Sequence, residues 1–383
     1  MQNWQRAGFG LYVHWPFCQA KCPYCDFNSH VVANIDQSAW AAALVAEIER
    51  HATTLPNRVL SSIFFGGGTP SLMSVGTVAD IIEAATRVWT PSNQIEITLE
   101  ANPTSIEAAK FAALRDVGVN RVSIGVQSLR PDDLKALGRL HTVDEAKAAV
   151  ETARSVFDRV SFDLIYARQH QSLADWKTEL NEALGIGVDH LSLYQLTIEP
   201  GTAFGARHAA GGLKGLPDDD LGADMFEATG SICADHGLPA YEVSNHCKPG
   251  AESRHNLIYW NSGDWVGVGP GAHGRFTTDD GRRLATIAHA APGKWLSSVR
   301  QHQTGQASSD LLSEEEHAMD AIFMGLRLAE GLSADNPGYN RLIKSNKFND
   351  LLESGLLQCD AAGVRLTEPG RPLLNAVVRE LLD

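Results

Sequence analysis

Three cysteines, Cys18, Cys22 and Cys25, fall within the run Phe17-Cys18-Gln19-Ala20-Lys21-Cys22-Pro23-Tyr24-Cys25, and no fourth lies nearby. Thiolates this close most often hold an iron–sulfur cluster or zinc. Zinc normally takes paired CxxC knuckles, and the chain offers no second pair to close a tetrahedron. A cubane cluster has four irons, so three thiolates leave one iron without a protein ligand, open to a small chelating molecule. The other cysteines, Cys233, Cys247 and Cys359, are dispersed and read as small apolar residues.

The 383 residues allow two or three domains with ample core. A net charge of −14 argues against phosphate-backbone binding as the main task, so no nucleic-acid partner is expected. The first residues, Met1-Gln2-Asn3-Trp4-Gln5-Arg6, lack a charged-then-apolar signal, and no apolar run reaches the ~18 residues of a membrane span. Clustered thiolates without such a signal fit a reducing compartment, so a cytoplasmic location is expected.

Short β-branched runs alternate with stretches of helical period. Strands are expected at 8–15, 61–65, 94–99, 121–126, 158–165 and 190–197, with helices near 37–51, 78–89 and 106–117. Six βα units require a parallel sheet with helical crossovers, and six rather than eight suggests an α/β barrel open on one side. Cys18, Gly67, Glu100, Gln127, Tyr166 and Gln195 all lie at or just past a strand's C-terminal tip, the face where parallel barrels build active sites. After about residue 245 the pattern changes, and the glycine and proline density across 263–274 predicts tight turns. Ser313-Glu314-Glu315-Glu316 reads as a capping box. A helix at 348–354, a small hairpin and a last helix over 371–382 then resemble a winged-helix module. The expected division is 1–245, barrel; 246–305, turn-rich extension; 306–383, helical module.

The CxxxCxxC spacing resembles the signature of radical S-adenosylmethionine (SAM) proteins, where the amino and carboxylate groups of SAM fill the open iron position. Each strand-tip motif then has two readings. Gly66-Gly67-Gly68-Thr69-Pro70 is either a strand-to-helix turn or a backbone edge approaching the SAM amino group. Glu100 is either solvated or paired with the cationic end or ribose of SAM. Gln127 and Asp163 offer partners for the ribose hydroxyls. Arg139 either neutralises the SAM carboxylate or pairs with Asp133. His255 is either hydrogen-bonded in a loop, stacked on Tyr259 or Trp260, or an axial haem ligand with those aromatics over the macrocycle. His273 is a weaker case of the same kind.

Tyr12-Val13-His14-Trp15-Pro16-Phe17-Cys18, GGGTP, Gly125-Val126-Gln127-Ser128, Leu137-Gly138-Arg139 and Asp163-Leu164-Ile165-Tyr166 together resemble the oxygen-independent coproporphyrinogen III oxidase family of radical SAM proteins. Within it the chain is more similar to the haem chaperones of the HemW type. The oxidase carries a further cysteine two residues past the last ligand, where this chain has Asp26-Phe27, and it has a longer segment before the first cysteine. His255-Asn256-Leu257-Ile258-Tyr259-Trp260 also resembles the HNxxYW motif of the chaperones.

The resemblance implies a partial (β/α)6 radical SAM barrel with a C-terminal helical, winged-helix-like module. It implies a [4Fe-4S] cluster on Cys18, Cys22 and Cys25, and SAM held by Tyr12, Tyr24, Gly67, Gly68, Thr69, Glu100, Gln127, Arg139 and Asp163. It implies haem touching His255, passed to an acceptor protein, with an electron donor for the cluster and a homodimer as further expectations. The alternative is the oxidase itself, or another radical SAM enzyme of porphyrin metabolism. The family commonly follows Asp-Leu-Ile-Tyr with a Gly-Leu-Pro-like turn. Here Ala167-Arg168-Gln169-His170 stands instead, which places a charge at the expected barrel mouth.

Overall fold

The computed structural model describes residues 3–382. The first strand, β1 (Phe9–Trp15), shows how the sheet is built: Phe9, Leu11, Val13 and Trp15 are fully buried on one face, and Gly10, Tyr12 and His14 alternate onto the other. Five more strands follow: β2 (Val59–Gly67), β3 (Thr90–Ala101), β4 (Arg121–Gln127), β5 (Arg159–Tyr166) and β6 (His190–Gln195). Each pairs in parallel with the one before, giving the six expected units in sequential order. The fold is the expected α/β partial barrel.

Helices α1 (Gln37–Thr54), α2 (Val75–Val88), α3 (Val143–Val156) and α4 (Leu173–Leu184) start on side-chain caps from Asp36, Ser74, Thr142 and Ser172. They bury an apolar stripe, such as Val78, Ile81 and Ile82 of α2, in the core they share with the sheet's outward residues. The helix expected at 106–117 is two short pieces, Ser105–Ala108 and Phe111–Asp116.

Beyond β6 come α5 (Asp219–Asp235), the antiparallel edge strand β7 (Asn245–Cys247) and α6 (Arg254–Trp260). The stretch expected to be turns holds β8 (Asp264–Val268), whose residues are all buried and which pairs in parallel with β1. Burial on both faces explains why it shows no alternation. The glycines in and just past it serve close packing: a Cβ on Gly267 would overlap the His273 carbonyl, and one on Gly269, at φ +104°, the His14 carbonyl. Strands β9 (His273–Thr277), β10 (Arg283–Ala288) and β11 (Gln306–Leu311) continue antiparallel, so eleven strands form one sheet in the order β11-β10-β9-β8-β1-β2-β3-β4-β5-β6-β7. Residues 264–311 thus extend the barrel's own sheet, and α7 (Pro292–His302) stacks Trp295 on Trp40 of α1 with ring centroids 5.4 Å apart.

The expected capping box starts α8 (Glu314–Gly325), and the chain then builds a separate apolar core around Ile322, Phe348, Val364 and Val378. Helix Phe348–Glu353, hairpin strands Leu357–Cys359 and Gly363–Leu366, and α9 (Leu374–Leu382) follow in the expected order.

Candidate functional site

The inward residues of the barrel form layers fixed by strand register. Gly10 faces Ser62 and Glu96 near the N-terminal end of the strands, while His14, Gly66 and Glu100 share a level at the C-terminal end. Four residues separate the levels, about 13 Å at ~3.3 Å per residue.

The cysteine loop lies across the C-terminal end. Its entry is held by backbone bonds from Gly68 N to Trp15 O (2.7 Å) and Thr69 N to Phe17 O (2.8 Å). Gly68 has to be glycine, because a Cβ there would stand 2.7 Å from the Phe17 carbonyl and 3.0 Å from Cys18 Sγ. Gly67, at φ +110°, lies against the His14 ring, 2.6 Å from a Cβ built on it. Both glycines therefore let the cysteine loop settle onto the strand tip.

Hydrogen bonds link two of the thiols through side chains. The Thr69 hydroxyl donates to Cys18 Sγ (3.5 Å) and receives a bond from Asn102 Nδ2 (3.2 Å). Asn102 Oδ1 accepts from Arg139 Nη2 (2.7 Å), and Arg139 Nη1 reaches Cys22 Sγ (3.4 Å). Ser29 acts to lower both the Cys18 and the Cys25 thiol. Burial raises the Cys18 and Cys25 thiols above their ordinary range, against which these hydrogen bonds act. Donors aimed at the Cys18 and Cys22 sulfurs suit thiolate ligands. Among the described residues no three His, Cys, Asp or Glu side chains converge on a single metal ion. A cubane places no such demand, since each thiolate binds a different iron, so the residues present fit the cluster and not a mononuclear site.

Tyr24 packs near Phe204 (6.3 Å between rings), and burial raises its phenol. Arg139 is raised although burial opposes its charge, because Tyr24 and Cys22 attract it. Gln127 ends β4 in the left-handed region at φ +70°, its amide beside Gly125.

Within the barrel, burial and then the charge of Asp163 push Glu100 up to about 8, opposed by the Gly67 N–H and Arg121. Burial also pushes Asp163 up to about 6, against the Ser192 and Ser123 hydroxyls and the charges of Arg121 and Arg139. Both carboxyls are only half-buried by surface area, so they line a lumen that a polar ligand can enter. Tyr12 stands between them and the strand bottoms, its hydroxyl 3.0 Å from His14 Nδ1. The lumen has neutral acceptors, carboxyls and a cation within reach of the cysteine loop, which fits a zwitterionic ligand with hydroxyls.

His255 lies at the opposite end. It is 1 % exposed, with Nδ1 2.8 Å from Ser62 Oγ and Nε2 2.6 Å from the Tyr259 hydroxyl, and its ring stacks on Phe64 at 5.0 Å. Burial lowers it to about 3, so it is neutral with both nitrogens engaged. It sits on a helix rather than in a loop. Arg168 also departs from expectation: it is buried, ion-paired with Glu179 and with Asp133 (2.8 Å), and bonded to the Ile165 carbonyl. Its charge is neutralised against α4 instead of standing at the barrel mouth, and Asp133 pairs with it rather than with Arg139.

Asn102, Ser29, Asn28 and His14 were not singled out by the sequence. Asn102 follows Glu100 at a strand tip before Pro103, the same signal that marked Glu100. Asn28 binds the cysteine loop to the far strands, donating to Pro270 O (2.9 Å) and Ala290 O (2.8 Å) and accepting His14 Nε2 on its own carbonyl (2.9 Å).

Residues 12–183 match the model of the radical SAM superfamily. The chain is 40% identical to heme chaperone HemW of Escherichia coli over 97% of both chains. It is 36% identical to heme chaperone HemW of Mycobacterium tuberculosis, covering 98% of this chain and 95% of that one. It is 37% identical to the mitochondrial radical S-adenosyl methionine domain-containing protein 1 of Bos taurus, over 99% of this chain and 88% of the relative. Among solved structures, coproporphyrinogen III oxidase (HemN) of Escherichia coli superposes with a TM-score of 0.80 over 97% of this chain and 89% of its own, at 21% identity, a likeness of fold.

Proposed function

The chain belongs to the HemW family of radical SAM proteins, and from that premise we propose that it binds haem and delivers it to an acceptor protein. The observation that carries this reading is the end-to-end match to the heme chaperone of Escherichia coli, at 40% identity over 97% of each chain. The loop itself adds support, with Asp26-Phe27 where the oxidase would carry another cysteine.

As a radical SAM protein it has [4Fe-4S] and SAM as family cofactors, with Cys18, Cys22 and Cys25 as the cluster ligands. In our reading Tyr12, Tyr24, Gly67, Gly68, Thr69, Glu100, Gln127, Arg139 and Asp163 surround SAM. When bound, the cluster and SAM supply one-electron chemistry. The chain's own contribution is positional. Arg139 and Thr69 donate to the thiols, Gly68 admits the loop, and Glu100 and Asp163 present carboxyl groups to polar hydroxyls. We further propose an electron donor for the cluster, a cytoplasmic location, which the six unpaired cysteines favour, and a homodimer as the assembled form.

The test is anaerobically reconstituted protein given SAM, reductant and either haem or coproporphyrinogen III, followed by haem absorbance and by chromatography. Haem binding without substrate-coupled turnover is expected. Decarboxylated porphyrin formed with matching 5′-deoxyadenosine would make the protein an oxidase and overturn the chaperone reading.

A further inference from the structure

A cavity of about 410 Å³ opens between the cysteine loop and strands β9 and β10, outside the barrel lumen. One wall is Lys21 and residues 26–30, and the other is Gly271, His273, Ile287, Ala288 and Ala290. We propose that this cavity seats the haem, with the imidazole of His273 ligating its iron and Lys21 meeting a propionate; the inference rests on the haem-binding reading and locates its site.

The volume falls in the ~300–1,000 Å³ range of small-molecule sites. The walls suit a flat apolar ring with an acidic edge. Phe27 is 62 % exposed and Ile287 38 %, side chains of a size that packs onto a macrocycle rather than remaining in water. Lys21 is the cation among the lining residues. Asp26 stands at the same rim and repels a second propionate unless it faces water.

Two histidines line this space. His273 is exposed, and among the described residues none is hydrogen-bonded to its ring. His30, on the opposite wall, keeps Nε2 on Asn28 Oδ1 (3.1 Å), which leaves Nδ1. Both approach His14 closely enough to lower its basicity. Partial desolvation and then the charge of Arg275 lower the basicity of His273, in the direction of the neutral form that binds iron. His255, by contrast, would have to break its bond to Ser62 or Tyr259 to ligate anything.

The cavity floor is built rather than incidental. The Asn28 amide bonds to Pro270 O and Ala290 O, and Gly271, at φ +75°, leaves room for it: a Cβ there would lie 2.7 Å from Asn28 Nδ2. Ser29, in the same lining, acts to lower the Cys18 and Cys25 thiols, so the cavity adjoins the cysteine loop. A haem seated here lies beside the cluster, whereas one at His255 lies at the far end of the barrel.

The experiment is titration of the cluster-loaded protein with haemin, read by difference absorbance, comparing the natural protein with His273→Ala and Ile287→Glu. Both positions are exposed, so neither variant endangers folding, and cluster iron content verifies it. His273→Ala is expected to lose the imidazole–iron signature and about tenfold in affinity. Ile287→Glu is expected to weaken haemin and iron-free protoporphyrin alike, while His273→Ala spares protoporphyrin. Haemin bound by both variants with the natural affinity and spectrum would overturn this site and leave the chaperone reading standing. No haemin bound by the natural protein would overturn that reading, and this site with it.

Discussion

Arg139 connects a cluster thiol to Asn102 and to the Gly125 carbonyl (2.9 Å), so its charge is fixed where electron density on the sulfurs rises on reduction. Hydrogen bonds and positive charge at cluster sulfurs raise the reduction potential. Arg139→Gln is therefore expected to lower it by about 60 mV, the one-electron equivalent of a tenfold change in equilibrium. An electron-paramagnetic-resonance titration giving an unchanged potential would remove Arg139 from that role. Glu100 makes a different prediction. Its ordinary value is 4.5 and its folded value about 8, so between these the folded protein holds a proton that the unfolded chain has released. Its contribution to stability is complete below about 4.5 and is lost as pH rises to about 8. Melting of the cluster-free protein should fall by a few degrees from pH 5 to pH 8, and Glu100→Gln should flatten that slope. A slope unchanged in the variant would assign it to other groups.

Among the elements, the turn after β2 carries the sharpest demand. Gly68 is restricted by contact, not by backbone angle, since it is not among the residues at positive φ. Gly68→Ala should displace the cysteine loop at a cost of about 1–3 kcal/mol and lower iron and sulfide content, with far-ultraviolet circular dichroism unchanged. Full cluster occupancy in that variant would contradict the packing described. This element was legible in the sequence as a glycine-rich turn at a strand tip, but not its neighbour. The sequence suggested a ligand, and did not show that the glycines also meet Phe17, Cys18 and His14. Helix α6 was not legible for a related reason. Its seven residues are too few for a helical period, and what holds His255 there is Ser62, 193 residues away in the chain. The six parallel strands were legible because each is a β-branched run with its polar residue at one end. Strand β8 was not, because burial on both faces and glycines at close approaches erase that pattern.

At the scale of the molecule, the sequence identified the cysteine loop, the strand tips and the order of the C-terminal module, since each is written in adjacent residues. It could not show that residues 264–311 complete the sheet, because that depends on pairing between distant strands. Here β1, made first, lies between β2 and β8, with Phe9 opposite Asp264. During synthesis at ~5–20 residues per second, β1 keeps one open edge for tens of seconds, exposed to other growing chains. The cysteine loop waits as well, because Asn28 closes onto Pro270 and Ala290. A chain ended before residue 270 would lack both carbonyls onto which Asn28 closes. Closure of the cysteine loop is thus tied to synthesis of the distant strands that complete the sheet rather than to the first six parallel strands.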